Sequence, residues 1–157
     1  MRREISCTPS FAGIVRLPLA LVYALMLPCV SVAQLPPTVS VTGLDYAFQA
    51  QDTVRAGPVI FAFVNRGTVR HEMFLFRIRM GRTLADMLRA TDPQERRALT
   101  DQTGGVLFAE AGQSSSGRLL VELAPGRTYA LLCFLQDSAD TPRHHSLGMA
   151  KSLHAKR

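Results

Sequence analysis

The amino-acid sequence consists largely of short apolar runs separated by turn-forming residues, and this pattern restricts the fold more than any other feature. Residues 59–64 (VIFAFV) form one run, Asn65-Arg66-Gly67 ends it, and residues 71–78 (HEMFLFRI) form the next. Short runs rich in β-branched and aromatic residues are typical of strands in an all-β domain. Further strands are predicted at residues 38–48, 52–55, 118–123 and 128–135, with shorter candidates at 106–108 and 147–153.

About seven short strands with closely spaced turns predict a Greek-key β-sandwich. The uninterrupted apolar run at residues 59–64 indicates a central strand whose two faces are covered or nearly so. The sequence Leu-x-Pro-Gly-x-x-Tyr at residues 123–129 resembles a tyrosine corner, in which a tyrosine bonds back to the preceding connection. The last residues, 155–157, are expected to form a frayed tail.

Residues 83–100 have a different pattern. Leu84, Met87 and Leu88 recur at helical spacing, and Asp92-Pro93 is a favourable start for a second short helix. The predicted fold is therefore an all-β, Greek-key sandwich with a short helical insertion at about 83–100.

The first 33 residues have the composition of an export signal. Three arginines precede an uncharged stretch, residues 17–33, which ends on Ser-Val-Ala. Small residues at that point suit signal peptidase, so residues 1–33 are predicted to be a cleaved signal peptide and residues 34–157 the exported domain. The alternative is retention as a membrane anchor, for which 17 uncharged residues including two prolines are short. We expect a periplasmic or otherwise exported protein with no membrane span after cleavage.

The charge of the chain gives little support to nucleic-acid binding. Removing three arginines and Glu4 from 18 basic and 12 acidic side chains leaves 15 and 11, a net charge of +4. The arginines are scattered, and no basic run is interleaved with aromatic residues.

Cys133 is the only cysteine outside the predicted signal peptide. A lone cysteine in an exported domain cannot form an internal disulfide, so it is either an inert buried thiol or a functional one. Histidines at 144 and 145 and Met149 follow it, and His71 lies upstream. A thiolate, two imidazoles and a weak thioether are the donors of a blue-copper site.

Several motifs, taken in order, resemble the cupredoxin, or plastocyanin-like, family. They are Asp45-Tyr46-Ala47-Phe48, Asn65-x-Gly67-x-x-x-His71-Glu72, Pro125-Gly126-x-x-Tyr129-x-x-x-Cys133 and His144-x-x-x-Gly148-Met149. The resemblance covers most of the exported domain apart from residues 83–100. It implies a cupredoxin sandwich that holds one copper ion of type 1 character, with His71, Cys133, His144 and Met149 as ligands.

The two adjacent histidines leave one ligand open. His145 is the alternative to His144, because either spacing to Met149 is compatible with the family. Adjacent residues in extended backbone point in opposite directions, so only one is expected to bind, and His144 is preferred. Asn65 and Glu72 are predicted to orient His71 or to connect the two ligand loops.

The loop after Cys133 differs from the family pattern. Ten residues separate Cys133 from His144, whereas in copper-binding members only a few residues intervene. A longer loop costs only slightly more closure entropy, so ligation remains possible in a less preorganised loop. Zinc also accepts cysteine and histidine ligands and is the alternative metal.

The predicted function is an exported copper-binding cupredoxin that transfers single electrons or handles copper in the periplasm, with a redox or copper-handling protein as its partner. The sequence contains no second metal cluster, no Ser/His/Asp order and no glycine-rich phosphate loop, so no enzyme is predicted. The alternative is a metal-free cupredoxin-like module that binds another protein through residues 83–100 and the loop 136–143.

Overall fold

Nine strands and two short helices make up the computed structural model, which describes residues 35–157. In chain order they are β1 (Thr38–Leu44), β2 (Ala47–Gln49), β3 (Thr53–Arg55), β4 (Gly57–Asn65), β5 (His71–Ile78), α1 (Leu84–Arg89), α2 (Pro93–Ala98), β6 (Thr100–Ala109), β7 (Leu119–Leu123), β8 (Thr128–Leu132) and β9 (Ala150–Lys156). One sheet has the order β2-β1-β4-β7 and the other the order β3-β9-β8-β5-β6. The predicted all-β sandwich is confirmed.

The core lies between the two sheets and is built from alternate residues of each strand. In β4, the side chains of Val59, Phe61 and Phe63 are buried, whereas the residues between them are half-buried. Strand β4 lies between β1 and β7, as its apolar sequence predicted, but only one of its faces is fully covered. Burial of each such aromatic or aliphatic side chain contributes on the order of 2 kcal/mol to folding.

The helical insertion is confirmed as α1 and α2, and it contributes to a second, smaller core. Thr83 and Asp86 form a capping box at the start of α1, and Asp92 caps α2, where Pro93 is the first residue. These caps satisfy backbone N–H groups that helices of one to two turns would otherwise leave free. Met87 is buried together with Ile78, Ala130 and Leu132, which belong to β5 and β8.

Three parts of the strand pattern differ from the sequence-based prediction. The strand predicted at residues 38–48 is divided into β1 and β2, which pair antiparallel. Strand β6 begins at Thr100, well before the predicted 106–108, because pairing with β5 holds its polar, glycine-containing first half in the sheet. Strand β9 is not an edge strand, since it lies between β3 and β8. Its end is not frayed, because Ala155 and Lys156 pair with Val54 and Arg55.

The connection from β7 to β8 contains a backbone bond to a tyrosine hydroxyl. The backbone N–H of Ala124 donates to the Tyr129 hydroxyl at 2.9 Å, which confirms the tyrosine corner. Strand β8 then ends at Leu132, directly before Cys133. No helix within residues 35–157 is long and apolar enough to cross a membrane. The predicted signal peptide, residues 1–33, lies outside the described residues.

Candidate metal centre

Three buried side chains meet where β5 begins and β8 ends. His71 is the first residue of β5, Cys133 follows β8, and His144 begins a 3-10 turn (His144–Leu147). Because β5 and β8 are antiparallel neighbours, the start of one lies beside the end of the other. The exposed fractions of the three residues are 0%, 0% and 1%, and their donor atoms lie within 4.8 Å of one another.

The separations between these donors fit one shared metal ion. The two Nδ1 atoms of His71 and His144 are 3.1 Å apart, and Cys133 Sγ is 3.4 Å from His144 Nδ1. Metal–nitrogen bonds of about 2.0 Å and a metal–sulfur bond of about 2.3 Å at a tetrahedral angle give separations of about 3.3 Å and about 3.5 Å. The two separations that involve His144 therefore have the lengths expected of donors that share an ion, and all three donors lie within 4.8 Å of one another.

The structure separates the two adjacent histidines. His144 faces His71 and Cys133, whereas His145 Nδ1 lies 3.2 Å from the Cys133 carbonyl oxygen. The His145 ring packs edge-on against Phe134, with 4.9 Å between ring centroids. Successive side chains of the 3-10 turn thus point into different environments, and only His144 joins the cluster.

Met149 is fully buried and its backbone is joined to two of the clustered residues. Its N–H donates to the His144 carbonyl oxygen at 2.9 Å, and its carbonyl oxygen accepts from the Cys133 N–H at 3.3 Å. Gly148, just before it, has φ of 116°, a left-handed conformation that favours glycine at the end of the turn. This turn sets the position of Met149 relative to His144.

The long Cys133–His144 segment is closed at its base. The N–H of His144 donates to the Leu135 carbonyl oxygen at 2.8 Å, and the N–H of His145 donates to the Cys133 carbonyl oxygen at 2.8 Å. Residues 136–143 therefore form an excursion whose ends are tied together. The extra length does not keep His144 from Cys133, although the sequence suggested a loosely organised loop.

An aspartate from that excursion holds the outer edge of His144. Asp137 Oδ1 lies 3.0 Å from His144 Nε2, and Asp137 Oδ2 accepts from the Tyr46 hydroxyl at 2.6 Å. The hydrogen bond from Tyr46 is the main cause of the lowered pKa of Asp137. An ionised carboxylate at Nε2 favours the tautomer in which Nε2 carries the proton and Nδ1 is free to bind a metal.

Asp45 occupies the equivalent position behind His71. Its Oδ1 is 3.5 Å from His71 Nε2, which is long for a hydrogen bond, so the contact is chiefly electrostatic. Thr68 donates to Asp45 through its backbone N–H at 2.8 Å and its hydroxyl at 3.0 Å, and the backbone bond is the main cause of the lowered pKa of Asp45. Each histidine thus presents Nδ1 to the cluster and Nε2 to a carboxylate.

Tyr46 packs against both histidine rings. Its ring centroid is 6.5 Å from that of His71 and 5.2 Å from that of His144, with edge-on geometry in both cases. The φ angle of Tyr46 is 61°, a left-handed conformation that is unfavourable for a bulky residue. The strained turn between β1 and β2 places the tyrosine over the site.

Asn65 and Glu72 connect the segments that carry the cluster. Asn65 Nδ2 donates to the carbonyl oxygens of Val69 and Ala109 at 2.7 and 3.1 Å, which fixes the turn before His71. Glu72 is buried, and its Oε1 accepts from the Phe134 N–H at 2.9 Å, which joins β5 to the segment after Cys133. Both side chains thus make contacts between the segments that carry the cluster, and their predicted role in supporting a metal site stays a prediction.

Burial controls the protonation of two donors. Burial raises the pKa of the Cys133 thiol to about 11. Burial, and next the neighbouring His144, lower the pKa of His71, so its imidazole is neutral near pH 7. A neutral imidazole is the form that binds a metal, whereas the cysteine must lose its proton when a metal binds.

Gly67 lies where no side chain fits. A Cβ at this position would lie 2.8 Å from His71 Nε2 and closer still to Asp45 Oδ1. We expect Gly67→Ala to lower the free energy of unfolding by about 2 kcal/mol, because Asp45 must leave Thr68 or the His71 ring must shift. Chemical denaturation of the metal-free protein measures this loss.

Gly117→Ala is the matched control for that substitution. A Cβ at Gly117 meets its nearest atom, Leu107 Cδ2, at 4.0 Å, which is ordinary van der Waals contact. We expect a change of less than about 0.5 kcal/mol there. Equal losses in the two variants would show that the crowding around Gly67 has no energetic effect.

The sequence indicates the donor residues, but it does not indicate the two aspartates and the tyrosine that contact the histidine rings. The contact between Tyr46 and Asp137 joins residues 91 positions apart, and local sequence patterns carry no information on such a pair. Asp45 and Tyr46 belong to the motif at residues 45–48, and Gly67 belongs to the Asn-x-Gly turn. Neither motif by itself predicts a contact with a histidine ring.

Comparison with solved structures shows the fold class. No protein-family model matches the chain, and no curated protein sequence matches it. The sodium-dithionite-reduced auracyanin of the photosynthetic bacterium Roseiflexus castenholzii is 16% identical, with a TM-score of 0.50 over 80% of this chain and 100% of that chain. At this identity the likeness concerns the fold, and the chain has a cupredoxin-like domain.

Two further auracyanins are similar in structure. Auracyanin B is 22% identical, with a TM-score of 0.49 over 80% of this chain and 94% of that chain. Auracyanin A, a "blue" copper protein from the green thermophilic photosynthetic bacterium Chloroflexus aurantiacus, is 17% identical, with a TM-score of 0.49 over 76% of this chain and 98% of that chain.

Proposed function

We propose that this cupredoxin-like domain is an exported copper protein that binds one type 1 copper ion and acts in one-electron transfer or periplasmic copper handling. The observation that carries the proposal is the convergence of a buried thiol and two buried imidazoles within 4.8 Å. His71, Cys133 and His144 would hold the ion, and Met149 would supply a weak axial thioether. The partner is a redox or copper-handling protein, and the domain acts as a carrier without catalysing bond chemistry.

The surroundings of the donors suit a one-electron site. Copper supplies two accessible oxidation states, for which thiolate and imidazole ligands are suited. The donors are held on two paired strands and a closed turn, so little rearrangement of the protein accompanies a change of charge. The full burial of Cys133 keeps solvent and oxidants from the sulfur.

Copper reconstitution tests the proposal. We expect one copper ion per chain by elemental analysis and an intense visible absorption from the sulfur–copper bond. Elemental analysis is required because zinc fits the same donors without colour. A colourless protein that retains no copper would contradict the proposal and favour the metal-free, protein-binding module. In that case copper would leave the melting temperature of wild type unchanged, as in His71→Ala and His144→Ala.

Export is tested separately from metal binding. We expect the protein recovered from the periplasm to begin at Gln34, which mass spectrometry of the intact chain measures. A full-length chain retained in the membrane would contradict cleavage and leave the metal-binding proposal standing.

Asp137 is expected to tune metal affinity through His144. Asp137→Ala removes the carboxylate that accepts from Nε2 and also leaves the Tyr46 hydroxyl without this partner. We expect metal affinity to fall by roughly 10- to 100-fold, as for other groups that orient a ligating histidine. Competition titration with a chelator measures the change.

Asp140→Ala is the control for the Asp137 substitution. Asp140 is an exposed carboxylate in the same excursion. The substitution therefore removes the same charge as Asp137→Ala without touching a clustered residue. We expect its metal affinity to lie within about twofold of wild type. Equal effects of the two substitutions would indicate that loop charge alone controls affinity.

A further inference from the structure

A cleft lies on the side of Phe134 and His145 that faces away from the metal cluster. Its volume is about 790 Å³, which is within the range of small-molecule sites. Residues of α1, α2 and the segment between them, with residues of β5, line it, so the helical insertion forms one wall and the outer face of the sheet another. The cleft is separate from the core between the two sheets, and the proposed copper chemistry does not use it.

The sheet side of the cleft is an aromatic surface. The rings of Phe74 and Phe76 are stacked with 4.6 Å between centroids and an interplanar angle of 8°. Phe134 meets both of them edge-on, at 5.9 Å in each case. All three rings are half-buried. Such a surface suits a planar apolar group, because aromatic side chains offer a large apolar contact area and also favour edge-to-face contacts with other rings.

The charged side chains around this surface are basic. Arg96, Arg97, Arg143 and His145 line the cleft, and none of the lining residues within the described chain is acidic. The guanidinium of Arg96 lies 5.3 Å from the Phe134 ring centroid, and Arg143 Nη1 donates to the Phe134 carbonyl oxygen at 2.8 Å. Burial, and next the like charge of Arg143, lower the pKa of Arg96. The cleft therefore combines an apolar floor with a basic lining.

His145 also lines the cleft. Its exposed fraction is 6%, and its Nδ1 faces the Cys133 carbonyl oxygen at 3.2 Å. Nε2 is therefore the ring atom available to the cleft. A residue that the sequence suggested as an alternative metal ligand instead contributes to this second site.

We propose that the cleft binds a small organic anion with a planar apolar body, such as an aromatic carboxylate. The aromatic body would lie on Phe74, Phe76 and Phe134, and the carboxylate would meet the arginines. Charge-assisted bonds from guanidinium groups are strong and directional, and they distinguish such an anion from a neutral molecule of the same shape. Binding does not require copper.

The test uses 2-naphthoate and its neutral isostere 2-naphthamide with the metal-free full chain, by calorimetric titration. We expect 2-naphthoate to bind at one site and at least about tenfold more tightly than 2-naphthamide. Equal affinities would overturn the anion specificity, and absence of binding by either probe would overturn the site and favour a protein partner for this face. Because the titration is metal-free, its outcome is independent of the proposed copper function.

Matched arginine substitutions locate the binding. Arg97 and Arg143 are exposed members of the cleft, whereas Arg118 is an exposed arginine outside it. We expect Arg97→Gln and Arg143→Gln together to weaken 2-naphthoate binding by about tenfold or more and to leave 2-naphthamide unchanged, with Arg118→Gln within about twofold of wild type. If the pair does not fold, Arg97→Gln alone should show a smaller loss. An equal loss in Arg118→Gln would overturn the assignment.

Discussion

Cys133→Ser is expected to abolish the visible absorption of the copper-loaded protein while the fold remains intact. Cys133 is fully buried, and serine is smaller by less than one methyl group, so the sandwich can accommodate it. The Glu72 N–H, which lies 3.5 Å from Sγ, can donate to the new hydroxyl. We expect a change in unfolding free energy of about 1 kcal/mol or less, measured by denaturation. The absorption is lost because a hydroxyl does not supply the sulfur–copper bond.

His154→Ala is a control for that experiment. His154 is exposed in β9. The substitution therefore removes a possible surface copper ligand without touching the cluster. We expect its spectrum and copper content to match wild type. If Cys133→Ser retained the band, the thiol would not be the source of the colour, and the assignment of the copper site would be wrong.

Metal affinity is expected to rise steeply with pH, and the buried thiol is the cause. In the metal-free protein, burial raises the pKa of Cys133 to about 11. Binding must therefore release a thiol proton at any pH below that value, and affinity should rise by about tenfold per pH unit. The lowered pKa of His71 means that this imidazole releases no proton above pH ~7. Chelator competition between pH ~7 and ~9 should give a slope of about one.

The folding stability of the metal-free protein is expected to fall as pH rises, whereas metal affinity rises. Because the thiol pKa is higher in the folded than in the unfolded chain, the unfolded chain loses its proton first. The contribution of the Cys133 thiol to folding stability is fully present below its pKa in the unfolded chain, about 8.5. It is lost as pH rises through the pKa of the thiol in the folded chain. In Cys133→Ser, this loss of folding stability at high pH should disappear. The dependence of zinc affinity on pH above ~7 should disappear as well. A flat affinity profile in wild type would show that the thiol is already ionised.

The pattern of strands could be predicted because its determinants are local. Apolar runs and turn residues fix where strands begin and end, and capping residues fix α1 and α2. Only residues 106–108 of β6 are predicted from the sequence, because the preceding part is polar and contains Gly104 and Gly105. Pairing with β5 overrides that weak propensity. The edge position predicted for β9 is wrong because the local sequence of a strand does not indicate which strands pair with it.

The residue types of the candidate site could be predicted from the sequence, whereas their arrangement in space could be predicted only in part. The order His71, Cys133, His144 could be read from the chain, and the structure brings their donor atoms together. The separation of His144 from His145 depends on the 3-10 turn, which rotates the two rings apart. Asp137 reaches His144 because hydrogen bonds close the base of its excursion, a feature that loop length alone does not convey.

The sequence by itself determined that this protein is an all-β sandwich with a helical insertion, and that its one thiol outside the predicted signal peptide is accompanied by histidines and a methionine. These conclusions rest on composition and on spacing along the chain. Only the tertiary structure decided that Asp45 and Asp137 back the two histidines, that Gly67 has no room for a side chain, and that the insertion forms a basic, aromatic cleft. Each of these depends on side-chain directions and on contacts between distant segments, which no local pattern specifies.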